Sequence, residues 1–237
     1  MLSCALPRPK DGGGGSASLW APGRRGWLLR VAWVRVRTCG LSIRLIWLLM
    51  GRRILFLGPP GAGKGTQAAM LARALGVPHI STGVMLRQNV ADGTELGLRA
   101  DAIMKAGDLV PDDLVVAMVA ERLSREDAVC GYLLDGFPRN VVQAEALDAA
   151  MGEGALDVAL LLEADEDELV NRLLLRAEAE GRADDNEETI RNRQRVYQSE
   201  TAPLVGYYPG RGVPVLAVDG LGSIDEIFGR LVRALAA

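Results

Sequence analysis

Arg53-Ile54-Leu55-Phe56-Leu57-Gly58-Pro59-Pro60-Gly61-Ala62-Gly63-Lys64-Gly65-Thr66 is the stretch from which the fold can be read. Four apolar residues in succession after Arg53 make a strand buried on both faces, and Gly58 ends it. From Lys64 to Leu75 the apolar spacing turns helical, and it stops at Gly76. A glycine-rich loop therefore sits between a strand and a helix. Glycines let successive backbone N–H groups point inward at a phosphate, and the helix N-terminus adds positive potential. Lys64 would reach the β- and γ-phosphates of a nucleotide, and the Thr66 hydroxyl would complete the cradle. The loop departs from the strict phosphate-loop pattern, because Gly65 takes the Ser/Thr slot and the hydroxyl follows one residue later.

Outward from this unit, short apolar runs alternate with longer amphipathic ones. His79-Ile80-Ser81, Tyr132-Leu133-Leu134-Asp135, Leu156 to Leu162 and Val213 to Val218 are the further strand candidates. Helical stretches fill the gaps, punctuated by Pro111 and the Gly136–Pro138 turn. Five strands separated by helices, joined by right-handed crossovers, predict an α/β fold of the P-loop NTPase type. Its parallel five-stranded sheet is covered by helices on both faces, with ligands at the carboxyl ends of the strands.

The 237 residues suit one large α/β domain with a tail, and collagen-like, disulfide-scaffold and wholly disordered classes are excluded. A net charge of −3 argues against a dedicated nucleic-acid binder. The charge is unevenly spread. Residues 1–49 carry a net +7, all four Trp and two of the three Cys, whereas residues 50–237 carry a net −10.

The first segment opens on Gly12-Gly13-Gly14-Gly15-Ser16, which cannot form a core. Its Arg-rich, acid-poor composition admits a targeting sequence. Arg30, Arg37 and Arg44 recur every seven residues and admit a peripheral membrane helix, although Arg35 and Thr38-Cys39-Gly40 spoil that face. The apolar run Leu45–Met50 is far short of the roughly 20 residues that span a bilayer, so stable membrane insertion is not expected. The favoured reading is a disordered or non-native extension over residues 1–49. The domain proper then covers 50–237, starting at Met50 directly before the first strand.

The loop, then Ser81-Thr82-Gly83…Arg87, then Asp135-Gly136-Phe137-Pro138-Arg139, resembles the adenylate kinase family of nucleoside monophosphate kinases. Gly181-Arg182-Ala183-Asp184-Asp185-Asn186-Glu187-Glu188-Thr189…Arg193 extends the match, which covers about residues 52–236. The resemblance implies reversible transfer of the γ-phosphoryl group of MgATP to AMP, giving two ADP. It implies two mobile parts, AMP-binding helices over about 81–110 and a lid over about 177–186. Only six positions separate Arg176 from Arg182, which is the short form of the lid.

By the same resemblance, Lys64, Arg87, Arg139, Arg176, Arg182 and Arg193 are the catalytic cations. ATP would be held by Gly61, Ala62, Gly63, Lys64, Gly65 and Thr66, with Arg172 against the adenine, Arg176 towards the phosphates, and Gly222. AMP would be held by Thr82 and Gln143 at the base, by Asp108, Leu109 and Val110 around it, and by Gly136, Phe137, Pro138 and Arg139 with Arg87. Arg182 and Arg193 would close over the transferring group. Asp135 would anchor Mg²⁺ through its water shell. Such a site has a physical rationale: phosphoryl transfer needs alignment and charge neutralisation more than covalent chemistry, and the planar fork of Arg suits both. Taken singly, each Arg could be a solvated helix-face residue, and Arg172 and Arg176 an ordinary i,i+4 pair. Six at this spacing, in a body with only two Lys, Lys64 and Lys105, argue otherwise.

Two departures stand out. Val84 follows Ser81-Thr82-Gly83 where many relatives have an Asp that organises water around Mg²⁺. Asn140, directly after Arg139, looks like the UMP/CMP kinases, so a pyrimidine kinase stays open as an alternative, with a P-loop switch more remote. Some long-lid relatives place four zinc-binding Cys in the lid, but this body has only Cys130, so no structural zinc is expected. Cys130 reads as a core thiol and His79 as a structural residue, and the cysteine usage points to a reducing cytoplasm. A monomer acting on ATP and AMP is the expectation from the resemblance.

Overall fold

Ile54, Leu55, Phe56 and Leu57 of strand β1 (Arg53–Leu57) are all buried, and β1 lies in the middle of a sheet with strands on either side. In this computed structural model residues 52–152, 154–165, 168–170, 172–173 and 187–237 are described. Residues 1–49, Arg176, Arg182 and the expected lid lie outside them.

The elements follow the expected alternation. After β1 come α1 (Lys64–Leu75), β2 (His79–Ser81), α2 (Thr82–Ala91), α3 (Glu95–Ala106) and α4 (Asp112–Leu123). Then come β3 (Tyr132–Asp135), α5 (Val141–Met151) and β4 (Val158–Glu163). Residues 168–170 and 172–173 are helical. The chain closes with α6 (Glu187–Val196), α7 (Leu204–Tyr207), β5 (Val215–Asp219) and α8 (Ile224–Ala236). The sheet order is β2-β3-β1-β4-β5, and every pairing is parallel.

Alternation along the strands builds two cores. Leu55, Leu57, Leu134, Ala159 and Leu161 face Val115 and Val119 of α4 and Ala144 and Leu147 of α5 on one side. Ile54, Phe56, Leu133, Leu160 and Leu162 face Ala68 and Leu71 of α1 and Phe228 and Leu231 of α8 on the other. Such two-sided burial is why the strands read as continuous apolar runs.

The helix boundaries have local causes. Gly76, at φ +68°, ends α1 in the left-handed conformation, its N–H bonded to the Ala72 carbonyl. Ser223 and Glu226 form a reciprocal capping box at the start of α8, a motif whose cap alone contributes about 1 kcal/mol.

Two strand starts differ from the sequence reading. β4 begins at Val158 rather than Leu156, because Asp157 is occupied with Arg53, donating its N–H to the Arg53 carbonyl and accepting the Arg53 N–H on Oδ2. β5 begins at Val215 rather than Val213. Pro214 has no N–H to give the ladder and offers only its carbonyl, which accepts from Ala159. Cys130 also differs, being exposed at the turn before β3 and disulfide-bonded rather than a core thiol. Gly131, at φ +146°, turns the chain between Cys130 and Tyr132, so the covered face starts after the cysteine.

Among the described residues no helix is long and apolar enough to cross a membrane.

Candidate active site

The carboxyl ends of β1, β2 and β3 border one cavity of about 770 Å³, in the upper part of the ~300–1,000 Å³ range typical of small-molecule sites. Its floor is the glycine loop. Gly58 and Gly61 adopt φ of +140° and +88°, and both are packed hard against backbone. A Cβ on Gly58 would stand 2.5 Å from the Leu162 carbonyl oxygen, and one on Gly61 2.7 Å from that of Leu169. Only glycine fits either place. Gly63 precedes α1 in the left-handed conformation, and the first turn of α1 carries no side-chain cap and no acidic residue. That leaves a helix N-terminus suited to an anion. Lys64 Nζ donates to the Gly58 and Pro59 carbonyls at 2.6 and 2.8 Å, so its charge is held inside the loop. Gly61, Gly63, Lys64, Gly65 and Thr66 line the cavity, while Ala62 is buried beneath them.

Asp135 ends β3 beside this loop, its Oδ2 3.7 Å from where a Cβ on Gly65 would stand. Burial works to raise the Asp135 carboxyl. The His79 hydrogen bond and the charges of Lys64, His79 and Arg139 outweigh it and hold the carboxyl below the ordinary aspartate value. It therefore stays ionised. His79 Nε2 lies 3.4 Å from Asp135 Oδ2, which the sequence reading missed. The parallel register pairs Ser81 with Asp135 and His79 with Leu133, which puts the two side chains within reach. The signal lay in the strand order, which the spacing of motifs does not reveal.

Among the described residues no group of three or more acidic, His or Cys side chains could cage a metal. A single ionised carboxylate next to a phosphate cradle fits a Mg²⁺ ion that keeps most of its water and takes its other ligands from substrate phosphates.

Next to the loop the cavity is cationic, and Lys64 shares an adjoining recess with Arg139 and Arg193. Arg87, Arg139 and Arg193 line the cavity, with Arg87 folded over Gly83 and Arg139 Nε donating to the Gly136 carbonyl at 2.9 Å. Arg139 faces the cleft but is ringed by protein. Withdrawal from bulk water presses its pKa below the usual guanidinium value, Asp135 pulls it up, and Arg193 and Arg87 press it down again. It remains a cation, as Arg does throughout the physiological range. Three arginines held this close are stabilised when an anion enters between them.

The cavity is also lined by Thr82, Asp108, Leu109, Val110, Gly136 and Gln143. The Thr82 hydroxyl donates to the same Gly136 carbonyl at 2.7 Å, leaving its oxygen to accept. Phe137 is buried under the site, and Pro138, joined to it by a cis bond, lines a smaller adjoining recess with Arg139 and Arg193. Val84, 56% exposed, lines the mouth. Asn140 does not line the cavity. Its Oδ1 caps α5 by accepting the Gln143 N–H at 2.8 Å, and its Nδ2 donates to both oxygens of Asp112. The residue that resembled a pyrimidine kinase is thus spent on a helix cap.

On the loop side, Arg172 lines the cavity and is pinned twice. Its Nε donates to Glu168 at 2.9 Å, and one terminal nitrogen donates to the Gly220 carbonyl at 3.0 Å. Gly222 lies two residues beyond Gly220, next to Glu226 and Arg230 rather than on the cavity wall.

The model of the family described as adenylate kinase matches residues 56–213. Adenylate kinase of Kocuria rhizophila is 56% identical over 186 residues, covering 77% of this chain and 98% of the relative. That of Thermobifida fusca is 52% identical over 185 residues, 77% of this chain and 97% of the relative. That of Thermus thermophilus is 52% identical over 188 residues, 78% of this chain and 98% of the relative.

Proposed function

The chain belongs to the adenylate kinase family, and on that premise we propose that it moves the γ-phosphoryl group of MgATP reversibly to AMP, giving two ADP. The observation that carries the reading is one cavity with two adjoining sites suited to phosphate. The glycine loop and Lys64 form one, and Arg87 and Arg139 with the Thr82 and Gln143 pocket form the other. A nucleotide switch or a simple hydrolase has no use for the second.

In this reading a phosphate oxygen of AMP attacks the γ-phosphorus in line, and the bond to the β,γ-bridging oxygen breaks, leaving ADP on both sides. The loop N–H groups and Lys64 hold the donor phosphates. Arg87 and Arg139 fix the acceptor phosphate, and Arg193, with Arg176 and Arg182, neutralises charge on the group in flight. Mg²⁺, when bound with ATP, supplies further neutralisation, and Asp135 would hold its water shell. Arg172, already pinned to Gly220, offers a flat fork for the donor adenine. Water must stay out, since a stray molecule would accept the phosphoryl group instead.

The short interval between Arg176 and Arg182 supports a compact lid without an inserted domain or zinc site. We take the enzyme as a monomer in the cytoplasm, where the exposed Cys130 disulfide would be held reduced, acting on two freely soluble polyanions. Size-exclusion chromatography reads the first of these.

The testing experiment is a coupled ADP assay with MgATP and each nucleoside monophosphate in turn, against a no-acceptor control. AMP-dependent ADP formation, with CMP, UMP and GMP far slower, is expected. Faster CMP or UMP would replace the acceptor assignment with a pyrimidine kinase.

A further inference from the structure

Gln143 is 1% exposed, and both ends of its amide are already bonded. Oε1 accepts the Arg139 backbone N–H at 2.8 Å, and Nε2 donates to Asp112 Oδ1 at 2.7 Å. The same Asp112 carboxylate takes both of its oxygens to Asn140 Nδ2, at 3.1 and 3.2 Å. An ionised carboxylate only accepts and a backbone N–H only donates. A Gln143 amide turned end for end would set oxygen against carboxylate and nitrogen against N–H, so a single orientation is permitted. One proton on Nε2 and one lone pair on Oε1 remain, on a residue that lines the cavity.

We propose that Asp112 is a positioning residue that locks the Gln143 amide, so that the acceptor pocket selects a 6-aminopurine over a 6-oxopurine. This rests on the reading above that Gln143 meets the acceptor base. Either hydrogen-bonding edge of adenine places a ring nitrogen acceptor, N1 or N7, beside the 6-amino donor. The locked amide answers with a donor beside an acceptor in matching order. A 6-oxopurine has an acceptor at position 6 and a proton on N1, so it presents like against like on that edge. A free amide would adapt by turning over, whereas an amide held by a carboxylate does not. Asp112 does this from outside the substrate, through Gln143, with the α5 cap residue Asn140 fixing the carboxylate in turn.

The test is the ratio of kcat/KM for AMP over IMP, which differ only in this donor–acceptor pattern. A site that hydrogen-bonds its substrate this way is expected to give a ratio on the order of 10⁴. In Asp112→Ala the water admitted at that place can donate or accept, so only the Arg139 N–H is left to orient the amide and turning it over costs one mismatched contact instead of two. The ratio is expected to fall at least about 10-fold, the scale of one mismatched buried polar contact, with the AMP loss in KM rather than kcat. Asp113→Asn, the exposed neighbour in the same first turn of α4, is expected to keep the ratio. If Asp112→Ala does not fold, Asp112→Leu, of similar size and with no acceptor for Gln143 Nε2, reads the same quantity. An unchanged ratio in the folded variant, with a collapsed ratio in Gln143→Leu, overturns the lock alone. An unchanged ratio in Gln143→Leu overturns the reading of Gln143 as the base contact, and the lock with it.

Discussion

Lys64 bonds two carbonyls of its own loop, and Arg139 shares a crowded corner with Arg87 and Arg193, so each has its charge held in place before any anion arrives. Preorganised cations of this kind act where charge is redistributed in the transition state. Lys64→Ala and Arg139→Ala are each expected to lower kcat/KM at least about 10²-fold, within the range found for cations in phosphoryl-transfer sites. Near-normal kinetics of either folded variant would contradict the roles given to them. Val84 makes the opposite kind of prediction. It leaves an exposed apolar side chain at the mouth of the cavity that Asp135 also lines. Val84→Asp is expected to raise turnover or lower the Mg²⁺ needed for half-maximal rate, and superimposable Mg²⁺ titrations would refute it. At this scale the sequence was most legible where a residue acts through its type and local setting, as in the glycine loop and Asp135. It was least legible where a residue acts through a distant partner. The His79 contact with Asp135 needs β2 to pair with β3, and the bond of Gln143 to Asp112 needs α4 to meet α5; neither meeting is written in local spacing.

The ends of α1 were readable because their causes are local, with Gly63 and Gly76 bracketing it, whereas the cap that Asn140 gives α5 was not read. Helix contacts were not legible either. α3 lies so close on α2 that a Cβ on Gly97 would stand 2.1 Å from the Asn89 carbonyl oxygen. Gly97→Ala must therefore push α2 and α3 apart. We expect a cost of about 2–3 kcal/mol, which for a domain of this size is a fall of ~5–10 °C in Tm. We also expect a raised KM for AMP with a smaller change for ATP. A variant with unchanged Tm and KM would show that the arm has slack. α6 reaches the far end of the same arm. Asn192 Nδ2 donates to the Ala106 carbonyl at 3.0 Å and to Asp108 at 2.7 Å, and Thr189 Oγ1 donates to the Lys105 carbonyl at 3.2 Å. The helix that carries Arg193 is thus tied to the segment Gly107–Val110 that lines the cavity. The sequence reading took residues 187–193 as part of a motif and said nothing of this partner, because polar side chains on a helix read as solvated until a neighbour is known.

Across the whole molecule, one rule of topology gathers the site: in a parallel sheet every strand delivers its carboxyl end to the same edge. β1 brings the glycine loop, β2 brings Thr82, β3 brings Asp135, and the segment after β5 brings Gly220 to hold Arg172. Both cores and the cavity are built from residues 53–237 as described, and 77% of the chain spans 98% of the Kocuria rhizophila relative. A chain beginning at Met50 is therefore expected to match the full chain in kcat, and a loss of kcat would give residues 1–49 a part in the enzyme. The most direct test of the central claim follows the phosphoryl group itself. With ATP labelled at the γ-phosphorus, Mg²⁺ and AMP, the label is expected at the β position of newly formed ADP, with two ADP per ATP consumed and no labelled inorganic phosphate. Labelled inorganic phosphate released at the same rate with or without AMP would contradict it.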